Sequence, residues 1–149
     1  MIDENGDVVH EVEVALAPAE VFEFFTDPER LVRWIGLSAS LTAVPGGGFR
    51  FEVQPGRYCE GRYVDVVAPA FVSFTWGWTD PAWNLPPGSS LVSVELTEIG
   101  DGTSVRLTHS RLPGALRAIH DEGWTTFLAR LREATAGRAP AAYPPPGTP

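Results

Sequence analysis

The chain has 149 residues, 19 acidic and 11 basic, for a formal net charge of −8, and every basic residue is an arginine. A length of about 150 fits one domain with enough chain to bury a core, and the negative balance excludes a nucleic-acid surface that tracks phosphates. Without lysine there is no Schiff-base or P-loop lysine, and the single cysteine, Cys59, excludes an internal disulfide and a cysteine-based metal cluster.

Hydrophobic residues make up 44% and charged residues 20%, the balance of a globular protein. The start, MIDENGDVVHEVEV, is acidic and lacks an apolar run, which argues against a secretory signal. No stretch approaches the roughly 18–20 apolar residues of a membrane span, so a cytoplasmic protein without membrane insertion is expected. The acids are unevenly placed: nine fall in the first 29 residues, which hold no arginine.

Residues 8–16 alternate, with His10, Val12, Val14 and Leu16 opposite Glu11 and Glu13, as in a half-buried strand. Pro18 suits the first turn of a helix carrying Val21, Phe22, Phe24 and Phe25. Asp27-Pro28 breaks it and starts a second short helix through Leu31 and Trp34. Strands follow at 40–44, 49–54, 58–68 and 71–78, separated by Pro45-Gly46-Gly47-Gly48, Pro55-Gly56 and Pro69. The segment 79–90, TDPAWNLPPGSS, is long for a hairpin loop and carries Trp83, either a lid anchor or a ring tucked onto the sheet. Strands at 91–99 and 103–111 flank Gly100-Asp101-Gly102, a tight-turn signature. A helix then runs from Gly114 to about Ala136, its apolar stripe formed by Leu116, Ile119, Trp124, Phe127, Leu128 and Leu131, with Arg117, Arg130 and Arg132 on the other side. Gly137 sits where a C-terminal cap belongs. Residues 1–137 read as one domain and 138–149 as a Pro-rich flexible tail.

Strand, two short helices, six more strands and one long helix make an α+β layout. Several segments, in order, resemble a known family: Pro18-Ala19-Glu20-Val21-Phe22, Thr26-Asp27-Pro28-Glu29-Arg30-Leu31 through Trp34, Pro45 to Phe51, Gly61 to Pro69, Phe74-Thr75-Trp76-Gly77-Trp78, Asp101 to His109, and Gly123-Trp124 with Leu128 and Leu131. Together they are similar to the activator of heat-shock-protein-90 ATPase homologue family, within the SRPBCC (START-like) superfamily, over residues 8–137. The resemblance implies a helix-grip fold: a curved seven-stranded antiparallel sheet around the long C-terminal helix, with two short helices after strand 1. It also implies a cavity for apolar molecules.

The candidate ligand-binding residues are Trp34, Phe51, Trp76, Trp78, His109, His120, Trp124 and Phe127. His109 keeps step with Val105 and Leu107 and faces inward, where a neutral imidazole can bond a ligand, act as general base, or simply be a satisfied core histidine, the reading with most weight. Trp76 and Trp78 share a face with Phe74, offering stacking and two directional N–H groups, or plain core. His120 borders the apolar stripe and is expected to be partly exposed. Gly123 is unfavourable in mid-helix by roughly 1 kcal/mol, which a close helix–sheet approach or room for a ligand would offset, with close packing the reading that carries more weight. Cys59 is a weak nucleophile candidate, Tyr58 and Tyr63 fall on opposite faces, and the three histidines show no metal-ligand spacing.

The expected function is a small-molecule binding protein for an apolar or aromatic ligand held in a cavity between sheet and C-terminal helix, without cofactor or metal. One alternative is a cyclase, dehydratase or hydrolase using His109 as acid/base, the only catalytic candidate. Another is a chaperone-regulator-like interaction module. The sequence leaves a homodimer open.

Overall fold

Residues 1–140 are described by a computed structural model; the expectation for the tail lies mostly outside them. Strand β1, Val8–Val14, is followed by α1, Pro18–Glu23, and α2, Pro28–Leu31. Pro18 occupies the first turn of α1, and the Asp27 side chain accepts from the Glu29 amide to cap α2. The remaining strands are β2, Ser38–Leu41; β3, Gly48–Gln54; β4, Arg57–Val67; β5, Phe71–Trp76; β6, Ser90–Ile99; and β7, Gly102–Ser110. The long helix α3 spans Gly114–Thr135, and Gly137 follows with φ of 78° as the cap geometry requires.

All seven strands form one antiparallel sheet in the order β1-β7-β6-β5-β4-β3-β2. Alternation sets its inner face: Phe49, Phe51 and Val53 on β3, Val92, Val94 and Leu96 on β6, and Val105, Leu107 and His109 on β7 are all buried. Register shifts within β3–β4 and β4–β5 bend the sheet at β4. The core lies between this face and α3.

Some boundaries differ from the sequence reading. Helix α2 ends at Leu31, and the chain then turns to bury Trp34 and Ile35. Strand β2 begins and ends earlier than residues 40–44. Strand β5 stops at Trp76, while Trp78 makes an isolated bridge to Cys59. The break falls at Gly77, where an added Cβ would sit 1.8 Å from the Pro86 carbonyl oxygen. Only a glycine lets the 79–90 segment return so close to the strand. That segment contains a 3-10 turn, Pro81–Trp83, capped by Asp80.

On α3, Arg130 is buried and donates to the Trp34 carbonyl oxygen at 2.8 Å, so it faces inward rather than away. Ile119 is 42% exposed and lies at the rim of the apolar stripe. His10 Nε2 lies 2.8 Å from Asp121 Oδ1, tying β1 to the first half of α3. Among the described residues no helix is long and apolar enough to cross a membrane.

Candidate ligand-binding site

Seven of the eight candidate residues converge where α3 crosses the ends of β5 and β7. Trp76 is the hub, with ring centroids 5.4 Å from Phe51, 5.2 Å from Trp78, 5.6 Å from His109 and 5.1 Å from Trp124. His109 and His120 stand 5.2 Å apart with perpendicular rings, and Phe127 packs on Trp124. Trp34 belongs elsewhere. Its indole donates to the Phe24 carbonyl oxygen at 3.0 Å and packs edge-on to Phe25, closing the end of the core under the short helices.

The polar atoms of the cluster form two chains whose protons can be placed by elimination. An indole nitrogen only donates. Trp124 Nε1 donates to His109 Nδ1 at 3.0 Å, so Nδ1 carries the lone pair and Nε2 carries the proton. That Nε2 is 2.8 Å from Ser90 Oγ, whose own hydroxyl donates to the Trp76 carbonyl oxygen at 2.8 Å. Trp78 Nε1 donates to His120 Nε2 at 3.1 Å, which leaves the proton on Nδ1 to donate to the Leu116 carbonyl oxygen at 2.8 Å. The two imidazoles are therefore neutral and hold opposite tautomers. Burial lowers the pKa of both; the neighbouring His120 lowers that of His109 further, while the Leu116 carbonyl partly offsets the effect at His120.

One donor is left over. Trp76 Nε1 is buried and has no hydrogen-bond partner among the described residues. Leaving such a group unpaired costs ~1–3 kcal/mol. Trp76 lines a gap of about 10 Å³ with Trp78, Ile119, His120, Gly123, Trp124 and Phe127, room for about one water-sized group. The resemblance implies a cavity between sheet and helix; aromatic rings fill most of that space and leave this gap. Gly123 helps to leave it: a Cβ built there meets no atom within 4 Å. Close packing therefore does not account for this glycine.

His120 is 5% exposed, where partial exposure was expected, because Trp78 reaches across the seam to cover it. Trp83 folds inward and packs edge-on to Trp78 at 5.1 Å, with the Arg57 guanidinium over its outer side. Sequence reasoning missed Ser90, which reads as one more loop serine in Gly88-Ser89-Ser90 yet is fully buried as the first residue of β6. Its parity with Val92 and Val94 is the signal that would have placed it inside. Cys59 is buried and its thiol pKa is pushed up, chiefly by burial, which makes it a poor nucleophile. Tyr63 is the inward tyrosine, donating to the Phe25 carbonyl oxygen at 2.8 Å.

A larger depression of about 870 Å³ lies on the outer face of the sheet, lined by Ser40, Thr42, Arg50, Glu60, Arg62 and Thr75 among others. Arg50 pairs with Glu60 at 3.0 Å, and Arg62 donates to the Gly46 carbonyl oxygen at 3.0 Å. It is a broad surface hollow of mixed polar and apolar lining. Among the described residues no buried side chain without a hydrogen-bond partner lines it, whereas Trp76 lines the seam gap.

A seven-stranded antiparallel sheet gripping one long C-terminal helix defines the helix-grip fold of the SRPBCC (START-like) proteins. Residues 15–136 match the family described as Activator of Hsp90 ATPase homolog 1-like protein, and the chain belongs to that family. Among solved structures, an AHSA1-like protein from Rhizobium etli is 42% identical over 93% of this chain and 86% of its own, with a TM-score of 0.72. DynU16, described as a putative protein in the dynemicin biosynthetic locus, is 26% identical over 89% of this chain, with a TM-score of 0.75. The present chain spans about half of DynU16, 48% of its length. The Aha1 dimer from Colwellia psychrerythraea shares the fold at 21% identity and a TM-score of 0.74, over 87% of this chain and 95% of its own. A comparison with curated proteins found no match.

Proposed function

We propose that the protein binds a small apolar, aromatic molecule at the seam between α3 and the β5 end of the sheet. The observation that carries this reading is the pairing of an unpartnered, buried Trp76 N–H with a gap at Gly123, inside a cluster of aromatic rings. As it stands the gap admits one small group, so a ligand enters by widening the seam. The construction permits that: the strand whose backbone comes nearest to α3 is β1, which β7 and β6 separate from β5 in the sheet. Rotating the ring of Phe127 opens space without moving strands and leaves the Trp78–His120 bond in place. The setting of the relative DynU16, a biosynthetic locus, is in keeping with a small-molecule partner.

His109 is poorly disposed as an acid/base in this arrangement. Its lone-pair nitrogen accepts from Trp124, its other nitrogen is committed to Ser90, and it is fully buried. Ligand binding is thus the better-supported role for the cluster.

Titration with prodan, a neutral environment-sensitive naphthyl ketone, tests the reading. Saturable one-to-one binding with blue-shifted emission is expected, weakened by Trp78→Ala or His109→Ala and blocked by Gly123→Leu, which fills the gap with a good helix former. Absence of saturable binding, or equal affinity in a folded Gly123→Leu variant, contradicts it.

A further inference from the structure

Resting on the seam reading above, we infer that the ligand is a neutral aromatic carbonyl compound whose oxygen accepts the Trp76 indole N–H. Every other side-chain polar hydrogen in the cluster is already used. Trp78 donates to His120, Trp124 to His109, Ser90 to the Trp76 carbonyl, and the two imidazole protons go to Ser90 and Leu116. The imidazole lone pairs are taken as well, each by an indole. Among the described residues, the side chains that line the gap thus offer one free donor and no free acceptor. A ligand hydroxyl or amine would bury a hydrogen for which no side chain lining the gap has a free lone pair, whereas a carbonyl oxygen satisfies Trp76 and leaves no hydrogen of its own.

Charge is selected against in the same way. Among the described residues no arginine lines the gap, and Gly123 is preceded in α3 by Asp121 and Glu122. A buried carboxylate would lack a cation, and recruiting one by protonating His120 would break the Trp78–His120 bond. A cation would face the outward-pointing dipole of the Trp76 N–H. The walls, three indoles and Phe127, favour an aromatic body. Trp76 then acts as the residue that sets specificity, while the rest of the rim supplies apolar contact.

Three probes of matched size separate this inference from the reading beneath it: 2-acetylnaphthalene, 2-ethylnaphthalene and 2-naphthoate, each titrated by calorimetry into the full chain. The ketone is expected to bind about tenfold more tightly than the hydrocarbon, the worth of one hydrogen bond, with the carboxylate weakest. Trp76→Phe should erase the preference for the ketone while the hydrocarbon still binds. Should that variant fail to fold, the indole N–H proton signals of the unaltered chain serve instead: the ketone should shift the Trp76 signal downfield and the hydrocarbon should not. Equal affinity for ketone and hydrocarbon overturns the inference and leaves the seam site standing. Tightest binding of 2-naphthoate also overturns it. If none of the three binds, the seam reading itself fails and the inference with it.

Discussion

At the scale of single residues, His109 and His120 are fixed as neutral bases by indoles that can only donate to them. Protonating either ring sets an N–H against an N–H in a dry interior. Both groups therefore have a lower pKa folded than unfolded. Below the ordinary histidine pKa of about 6.5 the unfolded chain binds the extra protons, so stability is complete above that pH and falls as pH drops beneath it. The slope approaches ~1.4 kcal/mol per pH unit for each histidine. Denaturant midpoints measured between pH 8 and pH 5 should fall on the acid side of this range, and His120→Gln should reduce the fall. A flat profile would mean that the two imidazoles are not held neutral. The indole–imidazole pairs were not legible in the sequence. Periodicity showed which side chains face inward, but which nitrogen meets which depends on rotamers across three strands and a helix.

At the scale of elements, α3 carries a mid-helix residue that nothing in its packing demands. A methyl group at Gly123 meets open space, so Gly123→Ala should stabilise the protein by about 0.5–1 kcal/mol through helix propensity alone. Under the seam reading the same change narrows the gap and weakens prodan binding. A gain in denaturant midpoint together with a loss of affinity would identify Gly123 as kept for space at the expense of stability. A loss of stability would show instead that the helix needs the glycine for its packing. The 79–90 segment is the second element that defines the site. Gly77 admits it against the β5 end, and Trp83 covers Trp78 from outside, so this loop forms the outer wall of the cluster. The sequence marked its length and its tryptophan, but did not reveal Ser90 as the first residue of the next strand.

For the molecule as a whole, the strand count, the order of elements and the long helix were all readable, because alternation, turn residues and a three- and four-residue stripe are local signals. Arg130 and Trp34 were misplaced for the opposite reason. One is a long cation that turns back to bond a carbonyl across the core, and the other caps the far end of the sheet; both positions are set by tertiary contacts. The uneven charge also changes meaning in three dimensions. Glu11 faces Arg106 across the β1–β7 pair and Glu23 meets Arg30, so part of the acidic N-terminal segment is paired at the surface, where such pairs contribute little. None of that charge lines the seam. The central claim is that this uncharged seam, rather than the outer hollow, receives a ligand. It is tested most directly by following backbone amide and indole N–H signals by NMR during titration with 2-acetylnaphthalene. The claim predicts saturating shifts at Trp76, Trp78, Trp124 and Gly123, with the Trp34 indole unmoved. Shifts confined to Arg62, Thr75 and their neighbours on the outer face, or no saturating shift at the seam, would contradict it.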